Sequence, residues 1–200
     1  MTQVDNSKKL FFVLTECIRA MGKMFQTRAA FTAEHHKETA YIASFIAEKI
    51  SMDQHQITGI YYASLIHDIG EISVPAEIIS RAGPLTKLEY SLIQTHPEEG
   101  YKILKDVAFP WPIAQIILQH HERLDGSGYP YGLQSAEILL ESKVVTVAEV
   151  VQAMLSHRTY RAAHPLENVI EELTTNSGNY YDEQVVSACL KILPEHIILN

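Results

Sequence analysis

Cysteine is scarce in this chain: two in 200 residues, Cys17 and Cys189, with no Cys-x-x-Cys pair. That scarcity excludes a disulfide scaffold and a thiolate zinc knot, and it fits a reducing, cytoplasmic compartment. Positive charge is short as well. Sixteen Lys plus Arg face twenty-four Asp plus Glu, a formal charge of −8 with histidine neutral. A protein that coats a nucleic-acid polymer needs a basic face, which this balance does not provide. Long apolar runs are missing too. Leu10-Phe11-Phe12-Val13-Leu14 is followed closely by Glu16 and Arg19, too short for a signal-peptide core. Nothing approaches the roughly 20 apolar residues of a membrane span, so no membrane insertion is expected. What the chain does have is 46% hydrophobic residues, enough to bury a core, and an excess of histidine, ten in all.

Strand-type alternation is also absent, and the apolar spacing is helical nearly everywhere. Ser7 reads as the cap of a first helix through Phe25, with Leu10, Leu14, Cys17, Ile18 and Met21 at three- and four-residue steps. Thr32 opens a second helix with Ala40, Ala43, Ile46, Ala47 and Ile50 on one face. Asp53 and Gln56 form a capping box for a third, which ends near Asp68. The stretch from Ile69 to Pro75 breaks it, because Gly70 and the pre-proline position oppose continuation. A second capping box, Thr86 with Glu89, opens a helix toward His96, and Pro112 suits the first position of a helix running to His121. From Arg123 to Gly132, three glycines and a proline in ten residues predict a stiff, turn-rich loop. A long helix from about Ala136 to Ser156, a basic turn at Arg158-Thr159-Tyr160-Arg161, and helices near 166–174 and 182–193 complete the chain. The expectation is an all-α fold: one helical bundle over residues 29–200 and an N-terminal helical arm over residues 1–28. That amphipathic arm is a candidate surface for a homodimer or a signalling partner.

Five features carry chemistry: His35-His36, His67-Asp68, His96, His120-His121 and Glu149, each on or at the end of an expected helix. Imidazole and carboxylate together suit Fe, Mn, Zn or Ni. Taking one histidine of the first pair, the set offers five imidazoles and two carboxylates. One octahedral ion accepts at most about six ligands and must keep a position open for chemistry, so this set implies two ions sharing a carboxylate. A pair of metals about 3.5–4 Å apart can clamp both oxygens of an in-line phosphoryl displacement. Either His35 or His36 fits the inward face of its helix.

Leu65-Ile66-His67-Asp68-Ile69-Gly70 resembles the signature doublet of the HD phosphohydrolase superfamily. His120-His121-Glu122-Arg123-Leu124-Asp125-Gly126-Ser127-Gly128-Tyr129-Pro130 is similar to the motif of its HD-GYP subfamily, and the likeness runs from about Phe31 to about Val186. The resemblance implies a helical, metal-dependent phosphodiesterase of bacterial signalling that opens cyclic di-GMP with a hydroxide shared by two divalent ions, Fe or Mn by preference, Zn or Ni otherwise. It implies His35, His67, Asp68, His96, His120, His121 and Glu149 as metal ligands, with His67 and Asp68 as the catalytic doublet and Asp68 bridging. It also implies Arg158 and Arg161 at the substrate, where an Arg fork matches phosphate oxygens, while Tyr129 either stacks on a guanine of the substrate or braces the loop.

The chain departs from that pattern at several positions. Glu71 stands where the family keeps lysine, Glu149 and Gln152 where it keeps aspartates, His157 for another acid, Thr159 for a proline and Glu183 for the proline after Asp182. Phe31 occupies the place of the glutamate found in trinuclear members, so a binuclear site is expected. The altered rim motivates two alternatives: a catalytically weakened or inactive signalling adaptor that keeps its metal site, and a hydrolase of another cyclic dinucleotide or nucleotide.

Overall fold

The computed structural model describes residues 3–26, 32–81, 83–156 and 163–197. Ten α-helices and two 3₁₀ turns make up this part of the chain: α1 (Gln3–Gln26), α2 (Thr32–Lys49), α3 (Gln54–Leu65), η1 (Ile69–Ser73), α4 (Ala76–Ile79), α5 (Lys87–Ile93), α6 (His96–Leu104), α7 (Ile113–Gln119), η2 (Ser135–Glu137), α8 (Leu140–Leu155), α9 (Leu166–Thr175) and α10 (Glu183–Ile197). Among the described residues there is no strand, only isolated bridges at Asp125–Gln134 and Ser177–Tyr181. The fold is all-α, as the periodicity predicts. No helix among them is long and apolar enough to cross a membrane.

α2, α3 and α8 pack against one another, α7 closes on α3 and α8, and α10 covers α2 and α8. Small residues let the backbones approach: Ala40, Ala43 and Ala47 of α2 and Ala148 of α8 are fully buried. Ile46, Ile60, Ile113, Ile116, Ile117 and Val151 fill the spaces between them. Each such branched side chain contributes roughly 1.5–3 kcal/mol on burial, enough for the core to carry a polar cluster at its centre. α1 docks on α2 and α3 through buried Ile18, while Phe11 meets Tyr62 and Trp111 edge-on at 6.4 and 6.0 Å.

Two boundaries differ from the sequence expectation, for tertiary reasons. The long helix α8 starts at Leu140 rather than near Ala136. The buried Gln119 side chain donates to the Glu137 carbonyl (3.1 Å) and accepts from Leu139 N (2.9 Å), which holds Ile138 and Leu139 extended. The helix opened by Thr86 stops at Ile93, and a separate helix, α6, begins at His96 with Pro97 in its first turn. α4 adds a single turn that the spacing does not announce.

Candidate metal centre

Five chain segments bring polar side chains to one point in the core. His35 and His36 come from the first turns of α2, and Glu149 comes from α8. α3 ends at Leu65, and the turn that follows aims His67 and Asp68 inward before η1 begins. His96 is the first residue of α6, and His120 and His121 follow the last turn of α7. Gly70 sets the approach of η1 to α6, because a Cβ there would lie 1.9 Å from the His96 carbonyl oxygen.

Asp68 sits at the middle, and its two oxygens face different neighbours. Oδ2 lies 3.1 Å from His36 Nε2 and 3.2 Å from His67 Nε2. Oδ1 lies 3.4 Å from His96 Nε2 and 3.9 Å from His120 Nε2. His121 Nδ1 is 3.7 Å from Glu149 Oε2. The ligand atoms fall into three overlapping groups, each within 4.8 Å: His35, His36, His67 and Asp68; Asp68, His96, His120 and His121; and His67, His120 and Glu149.

Hydrogen bonding fixes which nitrogens are free. Nδ1 of His67, His96 and His120 donates to the carbonyl three residues back, at Ser64 (2.7 Å), Ile93 (2.8 Å) and Ile117 (2.6 Å). In the neutral ring their Nε2 atoms therefore carry lone pairs toward the cluster. His96 Nε2 and His120 Nε2 stand 3.2 Å apart, and His67 Nε2 is buried without a hydrogen-bond partner. Converging lone pairs in a buried site cost about 1–3 kcal/mol for each unsatisfied group, and a cation between them removes that cost. The residues fit divalent first-row metal ions.

Electrostatics agree with that donor set. Burial pushes the imidazoles of His36 and His96 below their ordinary pKa, His35 to about 3, and His120 and His121 well down, so all five are neutral at physiological pH. His67 and Asp68 differ. Burial opposes charge on both, yet each stabilises the other's charge, raising the imidazole and lowering the carboxyl. His67 would give up that proton on ligating a divalent cation held here.

The Gly-rich loop after His121 is braced from within. The buried Glu122 carboxylate accepts from Tyr131 N (2.8 Å) and Leu133 N (2.9 Å), and Asp125 Oδ1 accepts from Ser127 N (3.0 Å). Gly128 is needed for closure, since a Cβ would stand 2.4 Å from Arg123 N. The loop lays the Tyr129 ring on His121, 4.6 Å between centroids and 26° between planes.

The structure thus gathers His35, His36, His67, Asp68, His96, His120, His121 and Glu149, with Tyr129 against them. Arg158 and Arg161 lie outside the described residues. Sequence reasoning missed the bracing role of Glu122. It also missed Glu38, whose carboxylate accepts from the amide of Gln152 (2.8 Å), while Gln152 Oε1 meets His35 Nδ1. The signal for Glu38 was helical spacing, three residues after His35, as Gln152 follows Glu149 by three.

The family model for the HD domain matches residues 19–185, five-sixths of the chain. The chain belongs to the HD domain family. This HD domain is 36% identical over 184 residues to a cyclic di-GMP phosphodiesterase of Thermotoga maritima, covering 91% of the chain and 50% of that protein. It is 34% identical over 150 residues to the 3′3′-cGAMP-specific phosphodiesterase 1 of Vibrio cholerae, covering 75% of the chain and 35% of that protein. The chain therefore spans half or less of these curated relatives. An HDG“Y”P protein from Bdellovibrio bacteriovorus shares its fold, with a TM-score of 0.69 at 20% identity, over 90% of this chain and 63% of that one. The HD-GYP resemblance read from His120 to Pro130 agrees with these relatives.

Proposed function

We propose that this HD domain is a metal-dependent phosphodiesterase that hydrolyses a cyclic dinucleotide, with cyclic di-GMP as the substrate. The observation that carries the reading is Asp68, whose two carboxylate oxygens face two separate sets of imidazoles. Oδ2 faces His36 and His67, and His35 belongs to the same group; of these, His35 and His67 would hold the first ion, and His96, His120 and His121 the second. Glu149 reaches between them from α8. Bound there, two divalent ions would supply Lewis acidity and a water activated for attack on phosphorus.

The chain's own groups would do the rest. Backbone carbonyls fix the tautomers of His67, His96 and His120, so the ligand cage needs little rearrangement on binding. Tyr129, stacked on His121, walls the cluster and limits water at the reacting centre. Arg158 and Arg161 would orient the phosphates, as their fork geometry suits. Purified protein loaded with Fe or Mn is expected to convert cyclic di-GMP to linear dinucleotide or mononucleotide, followed by chromatography. 3′3′-cGAMP belongs in the same panel because a relative carries that specificity in its name. No product from either compound would refute the enzymatic reading.

Glu71 supports a second reading, a signalling adaptor with weakened turnover. It places an anion directly after Gly70, and its backbone N–H donates to the Asp68 carbonyl at 2.8 Å. A carboxylate at this position, if turned toward the site, would repel a phosphate diester where a lysine would attract it. Glu71→Lys is therefore expected to raise turnover roughly tenfold or more, a change of about 1.4 kcal/mol in barrier. Unchanged turnover would mean that the charge at this position does not limit the reaction.

A further inference from the structure

His35 and His36 are adjacent, both are buried, and both belong to the group around His67 and Asp68. Their hydrogen bonds differ in kind. Gln152 is 3% exposed, and its NH₂ group donates to Glu38 Oε2 (2.8 Å) and to Ser156 Oγ (2.5 Å). A carboxylate only accepts, so the amide cannot be turned around, and Gln152 Oε1 must face His35 Nδ1. An acceptor at that place requires the proton on Nδ1. Neutral His35 then keeps its lone pair on Nε2, as His96 and His120 do through main-chain carbonyls.

His36 is arranged the other way round. Its Nε2 lies 3.1 Å from Asp68 Oδ2, which accepts, so the proton sits on Nε2. Its Nδ1 is buried and has no hydrogen-bond partner among the described residues. A histidine that ligates a metal through one nitrogen almost always donates the other to an acceptor, and His36 has none to donate to.

We infer that Gln152, held by Glu38, is a positioning residue that selects His35 over His36 as the metal-facing imidazole, while His36 serves as a hydrogen-bond donor to Asp68. This division of labour rests on the two-ion reading above. It assigns a task to a side chain on α8 that never touches the ions. It also makes Glu38, on the same helix as both histidines, the anchor of that task.

Two measurements test it: imidazole ¹⁵N shifts in the metal-free chain, and competition with a chromogenic chelator for Zn or Mn. Wild-type His35 is expected as the Nδ1–H tautomer. Gln152→Leu is expected to lose that preference and to bind one of the two ions some 10–100-fold more weakly, the usual cost of losing such an orienting partner. In the exchange variant Glu38→Gln/Gln152→Glu, amide and carboxylate trade sides and the carboxylate accepts from His35 directly. It is expected to restore both the tautomer and the affinity, which a merely damaged core would not do. His36→Gln, which keeps a donor for Asp68, retains both ions, whereas His35→Gln loses one. The inference is overturned if Gln152→Leu keeps the tautomer and both affinities, if the exchange restores neither, or if His36→Gln loses an ion and His35→Gln does not. A wild-type chain that binds no divalent ion defeats the two-ion reading instead, and the tautomer of His35 still judges the role of Gln152.

Discussion

Asp68→Asn is expected to cost the chain its paired ions and to lower cyclic dinucleotide hydrolysis by on the order of 10³-fold, with the helical fold retained. The carboxylate works through symmetry that an amide lacks. Oδ2 faces His36 and His67, while Oδ1 faces His96 and His120, so each half of the site owns one oxygen. An asparagine of the same shape offers one oxygen and one NH₂, and the NH₂ would point into one half as a donor among lone pairs. Charge is lost as well. At an effective dielectric near 20, a unit charge about 4 Å from another contributes about 4 kcal/mol. A hundredfold loss of affinity needs only about 2.8 kcal/mol, so removing this one charge is ample. His67 also loses the neighbour that raises its pKa, and burial then drives it neutral. Elemental analysis should find at most one ion per chain where the wild type is expected to hold two. Two ions kept at unchanged affinity would mean that Asp68 does not hold them jointly.

The parts of this fold that were legible in the sequence are those fixed within a few residues. Asp53 with Gln56 and Thr86 with Glu89 form the expected capping boxes, because a cap and its partner lie on one turn. The residue types of the cluster were equally legible, since imidazole and carboxylate at helix ends have few other uses in such numbers. Long-range partners were not. Gln119 reaches 20 residues along the chain to Leu139 and delays α8, and no local pattern announces that bond. The link from Gln152 to His35 spans 117 residues and exists only because α2 packs on α8. The choice between His35 and His36 was open for the same reason: both share the inward face of one helix, and only a side chain from elsewhere distinguishes them.

Gly70→Ala is expected to unfold the chain more readily and to displace His96. The glycine does not serve a left-handed turn; it serves contact between backbones. A methyl at this position would lie 1.9 Å from the His96 carbonyl oxygen, 2.5 Å from Gly100 N and 2.8 Å from the His96 carbonyl carbon. All three are main-chain atoms of α6, so no rotamer change relieves the clash, and η1 must move away as a unit. Overpacking of a tight core costs about 1–3 kcal/mol and occasionally more, and backbone neighbours put this case at the upper end. For a chain of 200 residues, about 3 kcal/mol corresponds to a fall in melting temperature of roughly 6–12 °C. The same movement separates Asp68, two residues before the glycine, from His96, which now lies 3.4 Å away. Thermal melting by circular dichroism and metal titration of the folded variant check both halves. A melting temperature equal to wild type, with both ions bound, would show that η1 and α6 can part without cost to the site.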